Sequence, residues 1–213
     1  MSEKISQAVI RRLPKYYRYL EDIQSKGIDK ISSSRMSAEM GLNASQIRRD
    51  FNCFGGFGQQ GYGYSVPKLK SEITHILGLD KKYKVIIIGA GRIGHALMGY
   101  RNFTLEGFDI IDMFDTDPAK VGQIIEGKTV QSMDSLGSYL DSHEVDIAII
   151  CTPKEQAQRA ADMLVSLGIK AIWNFAPTDV AVRRGVSLEN VHLSDSLYVL
   201  SYKMSNTMLI EED

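Results

Sequence analysis

Residues 84–94, with the sequence Lys-Val-Ile-Ile-Ile-Gly-Ala-Gly-Arg-Ile-Gly, constrain the fold more than any other segment of the chain. The first five residues are typical of a buried β-strand, and the rest form a Gly-x-Gly-x-x-Gly motif that leads into a helical pattern. An acidic residue, Asp115, follows the next apolar strand, 21 positions beyond Gly94. The motif alone is a weak signal, but in this complete context it predicts a Rossmann unit that binds a dinucleotide.

Each glycine of the motif has a predicted role in holding the dinucleotide. Gly89 allows the tight turn after the strand, Gly91 lets the backbone approach the pyrophosphate, and Gly94 permits close packing of helix and strand. The helix N-terminus then offers free N–H groups and a positive potential to the phosphates. The predicted residues of this loop are Gly89, Ala90, Gly91, Arg92, Ile93 and Gly94.

Asp115 predicts which dinucleotide is bound. Its carboxylate is placed to bind both ribose hydroxyls of the adenosine, and its charge would repel a 2′-phosphate, so NAD(H) is favoured over NADP(H). Arg92 complicates this assignment slightly, because a guanidinium can meet a phosphate. The alternative interpretation is a glycine-rich turn that binds no ligand.

Strands and helices alternate through residues 81–193, a pattern that predicts an α/β fold with a parallel sheet and crossover helices. The clearest helix covers Gln156–Leu167, with Gly168 as its C-terminal stop. Residues 194–213 follow as a tail whose apolar residues predict an amphipathic helix without a partner. The predicted strands are Lys84–Ile88, Ile110–Phe114, Asp146–Cys151, Ala171–Asn174 and Val191–Leu193.

Residues 1–80 predict a separate winged helix-turn-helix domain. A helical region over residues 8–26, broken near Pro14, precedes two short helices that end near Met40 and Phe54. Glycines alternate with aromatic residues over residues 54–64, a pattern typical of a short β-hairpin in the position of a wing. A further helix, residues 67–77, ends the domain.

The charge distribution also indicates a nucleic-acid end. Residues 1–80 carry 12 Lys and Arg against 8 Asp and Glu, whereas residues 81–213 carry 13 against 18. The third helix is expected to enter the major groove, and the wing tip to reach the minor groove or the backbone. The alternative for the two adjacent arginines is a solvated surface pair. The predicted DNA contacts are Ser45, Gln46, Arg48, Arg49, Gln59, Gln60 and Tyr62.

The chain has the features of a sensor that reads the dinucleotide and not those of an enzyme that consumes it. The Rossmann unit leaves no room for a substrate domain, and none of the four histidines pairs with an obvious carboxylate at a strand end. We therefore expect no catalytic residues. The predicted surroundings of the nicotinamide, which include Thr152, Pro153 and Phe175, are mainly apolar and should prefer the uncharged ring of NADH to the charged ring of NAD⁺.

Composition excludes several other classes of protein. No run of 18 apolar residues predicts a membrane span, and residues 1–7 lack the apolar stretch of a signal peptide, so a cytoplasmic location is expected. Cys53 and Cys151 lie far apart without the spacing of metal ligands, and we expect both to be packing thiols. Two alternatives to a sensor remain: an NAD-dependent enzyme with an N-terminal interaction domain, and a DNA-binding protein whose Rossmann domain serves only for dimerisation.

Five segments together resemble the Rex family of redox-sensing transcriptional repressors. They are residues 12–18 (RLPKYYR), 46–51 (QIRRDF), 54–64 (FGGFGQQGYGY), the glycine loop with Tyr100 and Asp115, and 168–177 (GIKAIWNFAP). The resemblance implies a homodimer in which the C-terminal helix is swapped into the partner. It also implies binding to pseudo-palindromic operator DNA, release when NADH binds, an interdomain contact by Arg18 that differs between the two states, and a place for Tyr100 near the cofactor.

One position departs from the family pattern. The family usually has an aspartate where this chain has His192, and that aspartate is the expected partner of the arginine at position 18. Asp195, three positions on, is a candidate substitute. We expect the response to the ligand to be weaker or pH-sensitive, because a histidine titrates near neutrality.

Overall fold

The computed structural model describes residues 5–54, 58–59 and 63–210, with side chains as far as residue 206 except those of 58 and 59. The chain divides into two compact units, Met1–Lys81 and Lys82–Asp213. Each unit has a hydrophobic core of its own.

The first unit combines helices with a small antiparallel sheet in the strand order β1-β3-β2. Pairing of Gly58 with Tyr64 and of Gln59 with Gly63 forms the predicted wing hairpin, although its tip, residues 60–62, lies outside the described residues. In chain order the elements are α1 (Gln7–Ile10), α2 (Leu13–Ser25), β1 (Lys30–Ile31), α3 (Ser33–Met40), α4 (Ala44–Asn52), β2 (Gly58–Gln59), β3 (Gly63–Ser65) and α5 (Val66–Leu77).

Local capping explains the helix-turn-helix formed by α3 and α4. The hydroxyl of Ser32 accepts a hydrogen bond from the Arg35 amide at 3.1 Å, and Gly41 ends α3 in the left-handed region at φ 65°. The Asn43 side chain then begins α4 by accepting a bond from the Ser45 amide at 2.8 Å. The predicted turn between the two helices is confirmed, and Asn43 is the N-cap residue of α4.

The core of the first unit lies where α2, α4 and α5 meet. Its largest buried side chains are Tyr16 and Phe51, whose rings pack edge to face at 5.0 Å between centroids. Tyr64 of β3 packs on the other side of Phe51 at 5.1 Å, which joins the wing strand to the helices. The wing and α4 therefore share one core.

The second unit is a six-stranded parallel sheet in the order β11-β10-β9-β4-β5-β8, with the helices of a Rossmann fold. The predicted α/β architecture is confirmed. In chain order the elements are β4 (Tyr83–Ile88), α6 (Arg92–Met98), α7 (Asn102–Leu105), β5 (Phe108–Asp115), β6 (Ile124–Ile125), β7 (Lys128–Thr129), β8 (Gln131–Ser132), a 3-10 turn (Met133–Ser135), α8 (Leu136–Ser142), β9 (Ile147–Ile150), α9 (Lys154–Ser166), β10 (Ala171–Asn174), β11 (Ser187–Asn190) and α10 (Asp195–Ile210).

The predicted last strand, Val191–Leu193, is wrong. The edge strand is Ser187–Asn190, whose pairs with β10 run from Ala171–Ser187 to Asn174–Asn190. Polar residues alternate along this strand, as is typical of a half-exposed edge strand, so it lacks the continuous apolar run that predicts a buried strand. The apolar Val191 contributes one backbone hydrogen bond to Asn174 and then leaves the sheet.

The sheet packs a core on each of its two faces. On one face Ile86, Ile88 and Ile150 pack against α8 and α9. On the other face Val85, Ile87 and Ile149 pack against side chains from α6 and α7. Because β4 is buried on both faces, it reads in the sequence as a continuous apolar run.

The C-terminal helix α10 is exposed along residues 195–205 in the single chain. The prediction of an amphipathic helix is wrong in one respect, because four consecutive apolar residues, Leu197–Leu200, place apolar side chains around most of its circumference. A helix that is apolar on all sides is usually buried. Nothing in the described part of this chain buries it.

No helix within the described ranges is both long and apolar enough to cross a membrane.

Candidate functional site

A cavity of about 830 Å³ opens where β4, β5, β8 and β9 end at the carboxyl edge of the sheet. Ligands of open α/β sheets bind at this edge. The glycine loop contributes Gly89, Gly91, Arg92 and Ile93, and the end of β5 contributes Asp115, Asp117 and Lys120. The opposite wall is formed by Thr152, Pro153, Gln156, Arg159 and Met163.

Two of the loop glycines stand where no larger residue fits. Gly89 has φ 108°, and a Cβ atom there would lie 2.7 Å from the carbonyl oxygen of Cys151. A Cβ atom on Gly94 would overlap the carbonyl oxygen of Gly89. The turn after β4 therefore packs directly against the end of β9 and the start of α6, which leaves the loop backbone facing the cavity.

Asp115 braces this loop. One carboxylate oxygen accepts hydrogen bonds from the Ala90 amide at 2.7 Å and from the Lys120 ammonium at 3.1 Å, and the other accepts the Asp117 amide at 2.8 Å. Burial alone raises the pKa of Asp115, but these hydrogen bonds outweigh it and hold the pKa below its ordinary value. With three of about four acceptor positions filled, the carboxylate has room for one further donor.

Thr152 carries a buried hydroxyl oxygen without a hydrogen-bond partner among the described residues. Such an atom is costly to leave unpaired in a folded protein. Thr152 lines the cavity, next to Pro153. A polar ligand in the cavity would satisfy it.

The structure brings together most, but not all, of the predicted nucleotide-binding residues. Ala90 and Gly94 are buried behind the loop, and Tyr100 and Phe175 are absent from the lining of the cavity. Tyr100 packs on Phe103 at 4.7 Å and Phe175 on Trp173 at 4.5 Å between ring centroids. The contacts of all the predicted residues with a ligand, including those of Tyr100 and Phe175, stay predictions.

Of the three cations that line this cavity, sequence reasoning found Arg92 and missed Lys120 and Arg159. Lys120 follows the acidic residue by five positions, within the turn that Asp115 begins. Gln156, Arg159 and Met163 recur at helical spacing directly after the predicted Thr152-Pro153 segment. That spacing was a usable signal that one face of α9 lines the site.

The predicted DNA contacts of the third helix lie together on α4. Ser45, Arg48 and Arg49 are exposed, whereas Gln46 is half-buried. Ser45 donates its hydroxyl to Asn43 at 2.6 Å, and Arg48 donates to the hydroxyl of Ser33 on α3 at 3.1 Å.

The remaining predicted contacts belong to the wing. Gln59 lies on β2, but its side chain falls outside the described residues, as do Gln60 and Tyr62 altogether. Sequence reasoning missed the carboxylate at the base of α4, Asp50, which is 1% exposed. Asp50 directly follows Arg48 and Arg49, and a charged residue in such a segment is normally solvated, so the sequence does not indicate its burial.

The predicted switch residues occupy surface positions. Arg18 lies exposed on α2, and Asp195 begins α10. Two histidines pair with carboxylates that lie in loops and not at strand ends: Nδ1 of His75 lies 2.9 Å from Asp80, and Nε2 of His192 lies 2.8 Å from Asp179. The hydrogen bond to Asp179 raises the pKa of His192.

The two cysteines differ in their surroundings. Cys151 is partly buried at the end of β9, and burial raises the pKa of its thiol to about 12. Cys53 is exposed, so its predicted role as a packing thiol is wrong. Within the described part of the chain, no cluster of three or more His, Cys, Asp or Glu side chains has the arrangement of a metal site.

Two family models match the chain, one in each unit. A family described as "CoA binding domain" matches residues 80–178. A family described as "Putative DNA-binding protein N-terminus" matches residues 4–52. These ranges cover the cavity with five of the six strands of the sheet, and the helices of the first unit as far as α4.

Curated relatives match the chain over almost its full length. The redox-sensing transcriptional repressor Rex of Caldicellulosiruptor saccharolyticus is 49% identical, over 99% of this chain and 96% of that protein. The repressor of the same name from Clostridium botulinum strain Loch Maree is 51% identical, over 96% of this chain and 98% of that protein.

Solved structures of a Rex-family repressor, RSP, superpose on the whole chain. The structure of RSP in complex with NAD⁺ and operator DNA has a TM-score of 0.90 at 49% identity, covering 98% of this chain and 96% of that one. The structure of RSP in complex with NADH has a TM-score of 0.89 at 46% identity, covering 98% of both chains. On the strength of this identity over nearly the entire chain, the protein belongs to the Rex family of redox-sensing transcriptional repressors.

Proposed function

We propose that this protein is a redox-sensing transcriptional repressor that binds operator DNA through α4 and the wing and releases it when NADH binds. The observation that carries the proposal is the cavity at the sheet edge, which combines a glycine cradle, an ionised Asp115 and a Thr152 hydroxyl without a partner among the described residues. The same chain also carries a helix-turn-helix unit. The RSP complexes with NADH and with NAD⁺ and operator DNA support the two ligands.

The residues of the cavity fit an NAD(H) molecule. The backbone of Gly89 and Gly91, with the Arg92 guanidinium, would hold the pyrophosphate, and Asp115 would accept a bond from one ribose hydroxyl. Binding to both hydroxyls, as the sequence predicts, would require Lys120 to leave the carboxylate. The bound group supplies the signal, because its nicotinamide ring is neutral in NADH and positive in NAD⁺.

We also propose that the protein catalyses no reaction and that it acts in the cytoplasm. The relatives are repressors by name, and a repressor acts where the DNA is. Turnover of a small carbonyl or alcohol by the pure protein would favour the alternative of an NAD-dependent enzyme. DNA binding without any nucleotide binding would favour a Rossmann domain used only for dimerisation.

Release of DNA by NADH is the first prediction. We expect a labelled operator duplex bound by the protein at fixed salt to lose anisotropy when NADH is added, and to lose much less with NAD⁺. The neutral ring enters the mainly apolar surroundings without a counter-charge, whereas the charged ring is penalised there. ADP-ribose, which is NADH without its nicotinamide ring, serves as the control nucleotide. Equal release by all three would contradict a redox sensor.

A second prediction tests the cradle. Gly94→Ala should weaken NADH binding at least tenfold, because the new methyl group meets the Gly89 carbonyl and must push the loop out of place. Gly99→Ala, at the other end of α6, is the matched control, because its Cβ would meet only the flexible side chain of Glu126 at 3.4 Å. Calorimetry with NADH measures both variants. Equal affinities for the two variants would mean that the cavity is not the NADH site.

The proposal also includes a homodimer formed by the Rossmann domain and α10. A helix with exposed Leu197, Tyr198 and Leu200 needs an apolar partner, and isolated helices of this length are marginal in water. An apolar groove of about 500 Å³, which includes Phe103 and Trp173, lies on one face of the sheet. A second copy of the chain would cover both surfaces.

Removal of α10 should therefore change the assembly. We expect light scattering to give the mass of a dimer for the full chain and mainly that of a monomer after deletion of residues 195–213. A substitution that exchanges only exposed polar atoms, Ser201→Ala, is the control and should remain dimeric. A monomeric full chain at micromolar concentration would contradict this part of the proposal.

A pH-sensitive contact distinguishes this chain from the family pattern. Because the pKa of His192 is raised, its pair with Asp179 is fully formed below the unfolded value of about 6.5 and is lost as the pH rises through the folded pKa. Asp179→Asn should lower the NMR titration midpoint of His192 towards about 6.5. If protonation of His192 controls the release of DNA by NADH, release should change with pH around the pKa of His192 in the wild type, and this change should disappear in His192→Gln. A pH profile of release that is the same in His192→Gln would exclude His192 as the source of the pH dependence.

A further inference from the structure

Asp50 is a buried carboxylate at the base of the helix that carries the predicted DNA contacts. It accepts four hydrogen bonds: two from the Arg12 guanidinium at 2.6 and 2.7 Å, one from the Tyr16 hydroxyl at 2.7 Å and one from the Gln46 amide at 2.8 Å. Burial alone raises the pKa of Asp50, but these donors outweigh it and lower the pKa. The carboxylate is therefore an ionised acceptor at neutral pH.

The ionised state of Asp50 fixes the direction of the Gln46 side chain. Because Asp50 only accepts hydrogen bonds, the amide nitrogen of Gln46 must face it, and the amide oxygen must point away from it. That oxygen accepts a hydrogen bond from Nη2 of Arg49 at 3.3 Å. Since Arg49 only donates, both ends of the glutamine have partners that agree with a single orientation of its amide.

We propose that Asp50 is a positioning residue for base recognition, which acts through Gln46 to hold the exposed Arg49 guanidinium ready for a guanine. The inference rests on the DNA-binding function proposed above. Arg12, the residue before α2, and Tyr16, on α2, donate the other three hydrogen bonds to Asp50. The contacts thus form a relay from α2 through Asp50 and Gln46 to Arg49.

The chemistry of the relay points to guanine. A guanidinium reads guanine by donating two parallel hydrogen bonds to N7 and O6 in the major groove, and this contact depends on the orientation of its plane. Arg49 lies on the exposed surface of α4, where a free arginine side chain would sample many rotamers. A bond to the fixed oxygen of Gln46 reduces that freedom before DNA is bound.

Arg48 provides the contrast on the same helix. It is equally exposed, but its hydrogen bond runs to Ser33 of α3 and not to Gln46 or Asp50. It lies outside the relay. If a substitution of Gln46 weakens DNA binding only through Arg49, it should leave the contribution of Arg48 to DNA binding unchanged.

The test uses a duplex that the wild-type protein selects from a randomised library, with each guanine replaced in turn by 7-deazaguanine, which lacks N7. We expect the wild type to lose affinity about tenfold at one guanine, and Arg49→Ala to lose this sensitivity. Gln46→Met should weaken binding to the unmodified duplex about tenfold and lose the same sensitivity. Adding Gln46→Met to Arg49→Ala should weaken DNA binding by no more than about a further twofold, because the effects of residues that act in one chain of contacts are not additive.

Controls separate positioning from folding. Arg48→Ala combined with Gln46→Met should show the product of the two single effects. Asp50→Asn should lose the 7-deazaguanine sensitivity while its NADH affinity, a property of the other unit, stays unchanged. If that variant fails to fold, Gln46→Met still decides the question, because it leaves the buried carboxylate and its Arg12 partner in place.

The relay is overturned if Gln46→Met or a folded Asp50→Asn keeps the 7-deazaguanine sensitivity, or if the effects of Gln46→Met and Arg49→Ala multiply fully. A selected duplex in which no guanine responds to the replacement would overturn it as well. If the wild type selects no duplex at all, the DNA-binding function itself fails. That failure is visible before any variant is measured.

Discussion

The close approach of the turn after β4 to the end of β9 is the contact on which the nucleotide site depends. At Gly89 and Gly94 the backbones leave no space for a Cβ atom, so α6 starts directly at the sheet edge and its first residues face the cavity. Asp115 strengthens the arrangement from the side of β5 by accepting a hydrogen bond from Ala90. The same residues that give the fold its tight turn therefore build the wall of the site.

The sequence predicted the parts of the structure that rest on strong local signals. The strand β4 is predictable because a strand buried on both faces is a continuous apolar run. The helix-turn-helix is predictable from the order of short helices that end near Met40 and Phe54, ahead of a hairpin pattern. The edge strand Ser187–Asn190 was missed, since its half-exposed polar residues carry no apolar period. The spacing of the apolar residues of α10 predicts one apolar stripe along the helix, whereas in the structure these residues surround most of its circumference.

Site residues that depend on tertiary contacts escaped the sequence for a physical reason. Lys120 and Arg159 reach the cavity only because the chain folds back around the sheet edge, and charged residues in a sequence indicate a solvated surface by default. Asp50 is the clearest case, since its buried carboxylate pairs with Arg12, the residue before α2, which is 38 positions away in the sequence. The four hydrogen-bond donors to this carboxylate meet at the helix that carries the predicted DNA contacts.

The central claim is that the nucleotide cavity and the DNA-binding unit are coupled. Thermodynamic linkage makes the coupling reciprocal, so operator DNA must weaken NADH binding by the same factor by which NADH weakens DNA binding. The most direct measurement is calorimetric titration of NADH into the protein alone and into the protein saturated with operator duplex. We expect the affinity for NADH to fall at least about tenfold in the presence of DNA, in the range typical of allosteric proteins. An affinity for NADH that is the same with and without DNA would show that the two sites are independent.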